Sequence, residues 1–173
     1  TTIGNAAFGN CPNLTIYGDT GTKAEEYAAA NGVQYVDPTT FIKDFTYTIA
    51  NGECTITGYT GTNTNVVIPS KIDGCLVTGI GDEAFYECES LTSISIPNGV
   101  TSIGNSAFYY CKSLTSISIP DSVTSIGDAA FYFCKSLTSI SIPDSVTSIG
   151  DSAFYDCRSL INIYLSNNVT TIG

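Results

Sequence analysis

"LTSISIPDSVTSIGDAAFYFCKS", residues 114–136, is a unit that the chain copies on both sides of itself. Residues 91–113 read "LTSISIPNGVTSIGNSAFYYCKS" and residues 137–159 read "LTSISIPDSVTSIGDSAFYDCRS". A fourth copy, "LINIYLSNNVTTIG", covers 160–173. A longer copy at 63–90 matches once five residues are inserted after Pro69, and the period of the full copies is 23 residues. Leu91, Ile94 and Ile96 recur as Leu114, Ile117 and Ile119, and again as Leu137, Ile140 and Ile142. A short strand there turns Ile94 and Ile96 to one side, because alternate strand residues share a face. Pro97 ends that strand, having no N–H to give to a ladder. Val100 and Ile103 form a second inward pair. After Ile103, Ile126 and Ile149 comes Gly-Asn or Gly-Asp, then a short turn in which Asn or Asp suits an N-cap. Ala107, Phe108 and Cys111 return the chain to the core.

One such unit cannot bury its own apolar face. Stacked at the strand spacing of about 4.8 Å, the units make parallel sheets and one continuous core. Equivalent side chains then form ladders, and Phe85, Phe108, Phe131 and Phe154 are expected to form a buried aromatic one. The expected architecture is a right-handed α/β repeat solenoid with short parallel strands and short helical or 3-10 turns. The period lies in the leucine-rich repeat range. The pattern C-x-S-L-x-x-I-x-I-P-x-x-V-x-x-I-G-x-x-A-F resembles the BspA-type, or treponemal-type, leucine-rich repeat surface proteins. The resemblance implies large secreted or surface-attached bacterial proteins, some of them adhesive towards host matrix or other microbes. It implies no shared enzymatic activity and so supplies no catalytic residue.

Residues 1–36 read as the end of such an array with a helical closing cap. Ile3, Phe8, Cys11 and Leu14 fall at the places of Ile103, Phe108, Cys111 and Leu114. Then the repeat stops. Thr22 and Glu25 have capping-box spacing, residues 23–30 favour helix, and Asn31-Gly32 is a helix stop. Residues 33–36 alternate as a short strand. Residues 37–44 form a turn-like linker. Residues 45–62 hold two alternating runs around Asn51-Gly52, a hairpin signal, read as the opening cap. The truncated repeat array is 63–173. "TTIG" occurs at both 1–4 and 170–173, so Ile3 and Ile172 are expected to be the same core position. With no Met in the chain, the sequence reads as an internal piece of a longer protein, its export signal and anchor lying elsewhere. The open repeat ends are expected to associate end to end, within one molecule or with a second copy.

A net charge of −10 argues against nucleic acid, whose binding uses clustered Lys and Arg. It also argues against an anionic membrane surface. The absence of His removes the commonest general base and zinc ligand. No apolar run is long enough to insert in a membrane. Cys11, Cys88, Cys111, Cys134 and Cys157 share one repeat position and read as buried core thiols rather than a metal site, because no C-x-x-C spacing occurs. Cys54 and Cys75 stand outside that column, as a pair of free thiols or as a disulfide in an exported protein. Asp128 and Asp151 share a column with Asp82 and Asn105, while Asp121 and Asp144 share one with Asn98 and Asn167. Asx turns and caps fit these columns better than calcium does. No cofactor or metal is implied.

Two surfaces are candidate binding faces. The exposed side of the strands carries Ser93, Ser95, Ser116, Ser118, Ser139, Ser141, Asn162 and Tyr164. Beside the buried Phe column run Tyr86, Tyr109, Tyr132 and Tyr155, half-apolar residues suited to contact or to packing. No nucleophile is paired with a base at a non-repeating position, so no catalytic site is expected. The reading is a recognition or adhesion module of an exported cell-surface protein. Its expected ligands are host matrix proteins, microbial surface proteins or glycans, bound outside the cell. A passive stalk that spaces other domains is the competing reading. Asn13 and Asn168 begin glycosylation sequons, which leaves a eukaryotic microbial origin open.

Overall fold

A computed structural model describes residues 2–4, 7–18 and 21–173. Thr1 and the turn residues 5–6, part of the expected first repeat, lie outside the described residues, as do 19 and 20. The chain divides into two compact units, residues 1–42 and 43–173.

In the first unit, strand β1 (Thr15–Tyr17), helix α1 (Lys23–Asn31) and strand β2 (Gln34–Val36) follow in order, and β1 pairs with β2 in parallel. The helix buries Tyr27 and Ala28. It ends where Gly32 takes a left-handed φ of 64° and donates its N–H to the carbonyl of Ala28. That geometry is open to Gly at little steric cost. The start of α1 differs from the capping-box expectation. Thr22 makes no side-chain cap, and its Oγ1 is buried without a partner. Glu25 instead accepts from the N–H of Gly21 at 2.6 Å, so the carboxylate has been captured one residue upstream. Phe8 and Cys11 are exposed and Leu14 is half-buried, because within this unit no neighbouring repeat layer lies over them.

A 3-10 helix over Pro38–Asp44 leads into the second unit. There a hairpin of β3 (Phe45–Ala50) and β4 (Glu53–Tyr59) comes first, turning at Asn51 and Gly52. Strands β5 (Asn65–Val67), β6 (Lys71–Ile72) and β7 (Cys75–Ile80) follow. The repeats then supply paired strands: β8 (Ser93–Ser95) and β9 (Ser102–Ile103), β10 (Ser116–Ser118) and β11 (Ser125–Ile126), β12 (Ser139–Ser141) and β13 (Ser148–Ile149), β14 (Asn162–Tyr164) and β15 (Thr171–Ile172). One sheet column runs β5-β8-β10 and resumes as β12-β14, with no ladder between β10 and β12. The other runs unbroken as β15-β13-β11-β9-β7-β4-β3. Successive repeat strands pair in parallel, each residue against its equivalent 23 positions on, as in Ile94 with Ile117 and Ile103 with Ile126.

Every repeat position predicted to point inward is buried in the middle layers. Leu114, Val123, Phe108, Phe131, Cys111 and Cys134 are all fully buried. The phenylalanines stack face to face, with centroids 5.1 Å (Phe85–Phe108), 5.2 Å (Phe108–Phe131) and 5.3 Å (Phe131–Phe154) apart. The hairpin closes the first end of this ladder, where Phe45 and Tyr59 lie 6.4 and 5.6 Å from Phe85. At the other end Phe154 is only half-buried, and Ile163 and Ile172 are exposed, because within this unit no further described layer lies over them. Ile172 is thus a core position without its cover.

The connections between the strand columns are tight turns of the 3-10 type, one of the two forms expected, rather than continuous helices. In each repeat the N–H at the positions of Tyr86 and Cys88 bonds three residues back. Alternate N–H groups bond sideways to the next layer, as in Phe85 to Ala107 and Phe108 to Ala130 at 2.7 and 2.8 Å. Left-handed residues at Ser106 and Tyr110, and at Ala129 and Phe133, interrupt any helix. Sideways bonding satisfies the backbone groups a helix would have paired internally.

Polar columns also join the layers. The hydroxyls of Thr101, Thr124, Thr147 and Thr170 each donate to the threonine carbonyl one layer before, at 3.1 to 3.4 Å. Asp82, Asn105 and Asp128 do not cap their own turns. Each Oδ1 accepts the N–H of the equivalent residue in the following layer, at 2.7 to 2.8 Å. Only one carbonyl-like oxygen is used, and an amide offers it as well as a carboxylate. This accounts for the mixture of Asp and Asn in the column.

Candidate binding surfaces

The serines of the strand column face outward, as their alternation with buried isoleucines requires. Ser95, Ser116, Ser118, Ser139 and Ser141 are exposed, Ser93 is half-buried, and Asn162 and Tyr164 are exposed in the last layer. Ser93 donates to Oδ1 of Asn65 at 2.7 Å. Where the ladder lapses between β10 and β12, Ser116, Ser118, Ser139, Ser141, Asp121 and Tyr164 line an open groove of about 370 Å³. This face offers hydroxyls but few large side chains.

The turns, on another side of the coil, carry the tyrosine column. Tyr86, Tyr109, Tyr132 and Tyr155 stack with centroids 4.9, 5.0 and 4.8 Å apart and ring planes within 5°, 7° and 14° of parallel. Tyr86 and Tyr155 are exposed, and Tyr109 and Tyr132 are half-buried. Because the rings cover one another's faces, the surface receives their edges and hydroxyls. Desolvation in the stack, helped by Glu87, pushes the Tyr86 phenol above its ordinary range, and desolvation with Tyr155 does the same to Tyr132. These two phenols therefore stay neutral at neutral pH, and the column presents hydroxyls that can both donate and accept.

Further aromatic and basic residues on this edge escaped the sequence reading. Tyr110 lies 5.8 Å from Tyr109, and Phe133 lies 4.8 Å from Tyr132 and 5.2 Å from Tyr110. The ammonium of Lys112 stands 4.3 Å from the Tyr110 centroid, and that of Lys135 stands 4.8 Å from the Phe133 centroid. The signal was present in the copies themselves. Three full repeats that agree almost everywhere carry Tyr110, Phe133 and Asp156 at one position. A change of chemistry within copies so alike marks a position the core does not constrain.

The cysteine column is structural. Cys111, Cys134 and Cys157 donate their thiols to the carbonyls of Phe85, Phe108 and Phe131 at 3.2, 3.2 and 3.1 Å. Burial pushes the Cys111 and Cys134 thiols far above their ordinary range, and raises Cys157 to about 11. Cys54 and Cys75 are free thiols, Cys54 buried and Cys75 partly exposed. A thiol with a raised folded pKa stays protonated after its unfolded counterpart ionises. Its contribution to stability is therefore complete below pH of about 8.5 and declines as pH rises further. Under native conditions Ellman's reagent should modify exposed Cys11 and partly exposed Cys75 rapidly, and Cys111 and Cys134 only at the rate of unfolding. Equal labelling of all seven cysteines in the folded protein would contradict the buried column.

The family profile described as "BspA type Leucine rich repeat region" matches residues 78–173, in six copies. The leucine-rich repeat protein of T. pallidum (TpLRR) is 40% identical, with a TM-score of 0.74, over 76% of this chain and 62% of its own. A leucine-rich repeat protein from Bacteroides ovatus is 34% identical, TM-score 0.67, over 75% of this chain and 36% of its own. A leucine rich cell surface protein from Faecalibacterium prausnitzii is 31% identical, TM-score 0.59, over 73% of this chain and 42% of its own. The chain spans less than two thirds of the length of each of these relatives. No curated protein matches it. No helix among the described residues is long and apolar enough to cross a membrane.

Proposed function

Because the chain belongs to the BspA-type leucine-rich repeat family, which is generally non-enzymatic, we propose that it is a recognition module of an exported bacterial cell-surface protein. Its task is adhesion, to protein or glycan, through a surface repeated once per layer. The observation that carries this reading is the tyrosine column. Four large amphipathic side chains are held in register at the protein surface, outside the core that stabilises the fold. Tyrosine brings much contact area at little entropic cost, and such residues dominate binding energetics. A description of one relative as a cell surface protein supports the location.

The test is an array of matrix proteins and glycans probed with the whole chain and with Tyr109→Ala and Tyr132→Ala variants. Saturable binding to at least one array member is expected, weakened about tenfold or more by each substitution. An unchanged melting temperature in the variants would confirm that the surface, not the fold, was altered. If no member binds saturably, the recognition reading fails and a spacer role replaces it. Binding indifferent to both tyrosines would move the site off this edge.

A further inference from the structure

Stacked rings cover one another's faces, so the tyrosine column offers a ring face to a ligand only where the column ends. At Tyr86 it ends inside the chain, where the hairpin meets the first repeat. One face of Tyr86 lies on Tyr109, with centroids 4.9 Å apart. The other looks towards the hairpin layer, and no further ring among the described residues stacks on it. Tyr59, which stands on that side, turns to the core instead, 5.3 Å from Phe45 and 5.6 Å from Phe85. Tyr86 is accordingly 43% exposed, whereas Tyr109 and Tyr132, covered on both faces, are half-buried. Tyr86 borders an open groove of about 380 Å³ that Tyr59, Gly61, Asn63, Glu87 and Glu89 also line.

The charge around this groove has one sign. Glu87 and Glu89 hold the repeat positions that the next two layers give to Tyr110 and Lys112, and to Phe133 and Lys135. In those layers each lysine stands over its own layer's ring, at 4.3 and 4.8 Å. The first layer has the open ring of Tyr86 and no cation of its own. Lys112 reaches back from the second layer and neutralises Glu89, at 2.8 Å. Desolvation, and after it Glu87 and Glu83, raise the Tyr86 phenol, which places both carboxylates near that ring. Neither they nor Asp44, beside Tyr59, have a Lys or Arg within ion-pair distance among the described residues. An uncovered aromatic face beside unpaired carboxylates attracts a cation that can both stack and pair.

We propose that this groove receives an arginine side chain of a partner protein, its guanidinium flat on the free face of Tyr86 and its N–H fork on the carboxylate of Glu87. A guanidinium is planar, always charged and weakly hydrated, so it stacks and pairs at once. A lysine ammonium meets the same carboxylate as a point charge and gains less from the ring. A neutral sugar ring can also lie on tyrosine, yet it leaves Glu83 and Glu87 uncompensated. Exposed Asn63, at the rim, can donate to and accept from the peptide that carries the arginine. The net charge of −10 draws a basic partner towards the chain.

This inference rests on reading the chain as a recognition module and names the partner chemistry for one end of its tyrosine column. The whole chain, labelled with nitrogen-15, is titrated with capped Gly-Arg-Gly, capped Gly-Lys-Gly and methyl glucoside. The arginine peptide should give saturable amide shifts at residues 59–63 and 86–91, with affinity about threefold or more above that of the lysine peptide. Tyr86→Ala and Glu87→Gln should each weaken it about fivefold at unchanged melting temperature. Glu26→Gln removes the same charge elsewhere and should leave binding unchanged. Four results would each overturn the proposal: no saturable shift in those two segments, equal affinity for the two peptides, equal effects of Glu26→Gln and Glu87→Gln, or tighter binding of methyl glucoside. If array binding depends on Tyr109 while the arginine peptide leaves the groove untouched, this inference falls and the recognition reading stands.

Discussion

Gly127→Ala should destabilise the second unit by about 3 kcal/mol or more, read as a drop in urea midpoint at unchanged slope. A Cβ on Gly127 would lie 2.6 Å from Oδ1 of Asn105, 2.7 Å from its backbone N and 2.7 Å from the carbonyl carbon of Gly104. Two of these three atoms are backbone of the preceding layer and cannot rotate away. The layers would have to part. Parting them breaks the bond from Gly127 N–H to the carbonyl of Ile103 at 2.9 Å and that from Asp128 N–H to Asn105 at 2.8 Å. Gly4 provides the control. It holds the same repeat position, but an added Cβ meets nothing within 4 Å. Gly4→Ala should change stability by less than about 0.5 kcal/mol. A Gly127→Ala protein as stable as the parent would show that this contact does not set the layer spacing.

The second large effect is expected at Phe131. Its ring is fully buried and sandwiched between Phe108 at 5.2 Å and Phe154 at 5.3 Å. Phe131→Ala removes a filled layer from a stack that cannot close over the gap, since both neighbouring rings are held by their own turns. The cost should be about 3–5 kcal/mol. Because each repeat touches only its neighbours, the gap also uncouples the layers on either side. Urea unfolding should therefore become broader or biphasic, with residues 137–173 losing hydrogen-exchange protection first. Tyr132→Ala, one residue on but at the surface, should cost far less. A Phe131→Ala variant that unfolds in one sharp step with the parent midpoint would count against a load shared along the ladder.

The core was legible because the copies repeat at a fixed interval. Once Ile94, Ile117 and Ile140 recur at one spacing, parallel stacking is the arrangement that buries all of them together, and it places Phe85, Phe108 and Phe131 in line. Their ring spacings of 5.1 to 5.2 Å follow from strand pairing. The hairpin around Asn51-Gly52 was equally readable, because its turn chemistry is local.

The capping box at Thr22 was a local inference too, and an adjacent local bond replaced it, Glu25 taking the N–H of Gly21. In the turns, alternate N–H groups bond three residues back, as the local pattern predicts, and those between them find carbonyls in the next layer. Asn and Asp, which commonly cap their own segment, became links between layers for the same reason: a stacked neighbour places a better-aligned partner within reach. The candidate site divides along the same line. The tyrosine and serine columns followed from register alone. The cation column over Tyr110 and Phe133 did not, because it depends on which way each long side chain turns and on a left-handed backbone that sequence periodicity does not encode. A repeating sequence specifies which residues share a column. The three-dimensional packing of adjacent layers settles what each column bonds to, since partners 23 residues away become nearer than those along the chain.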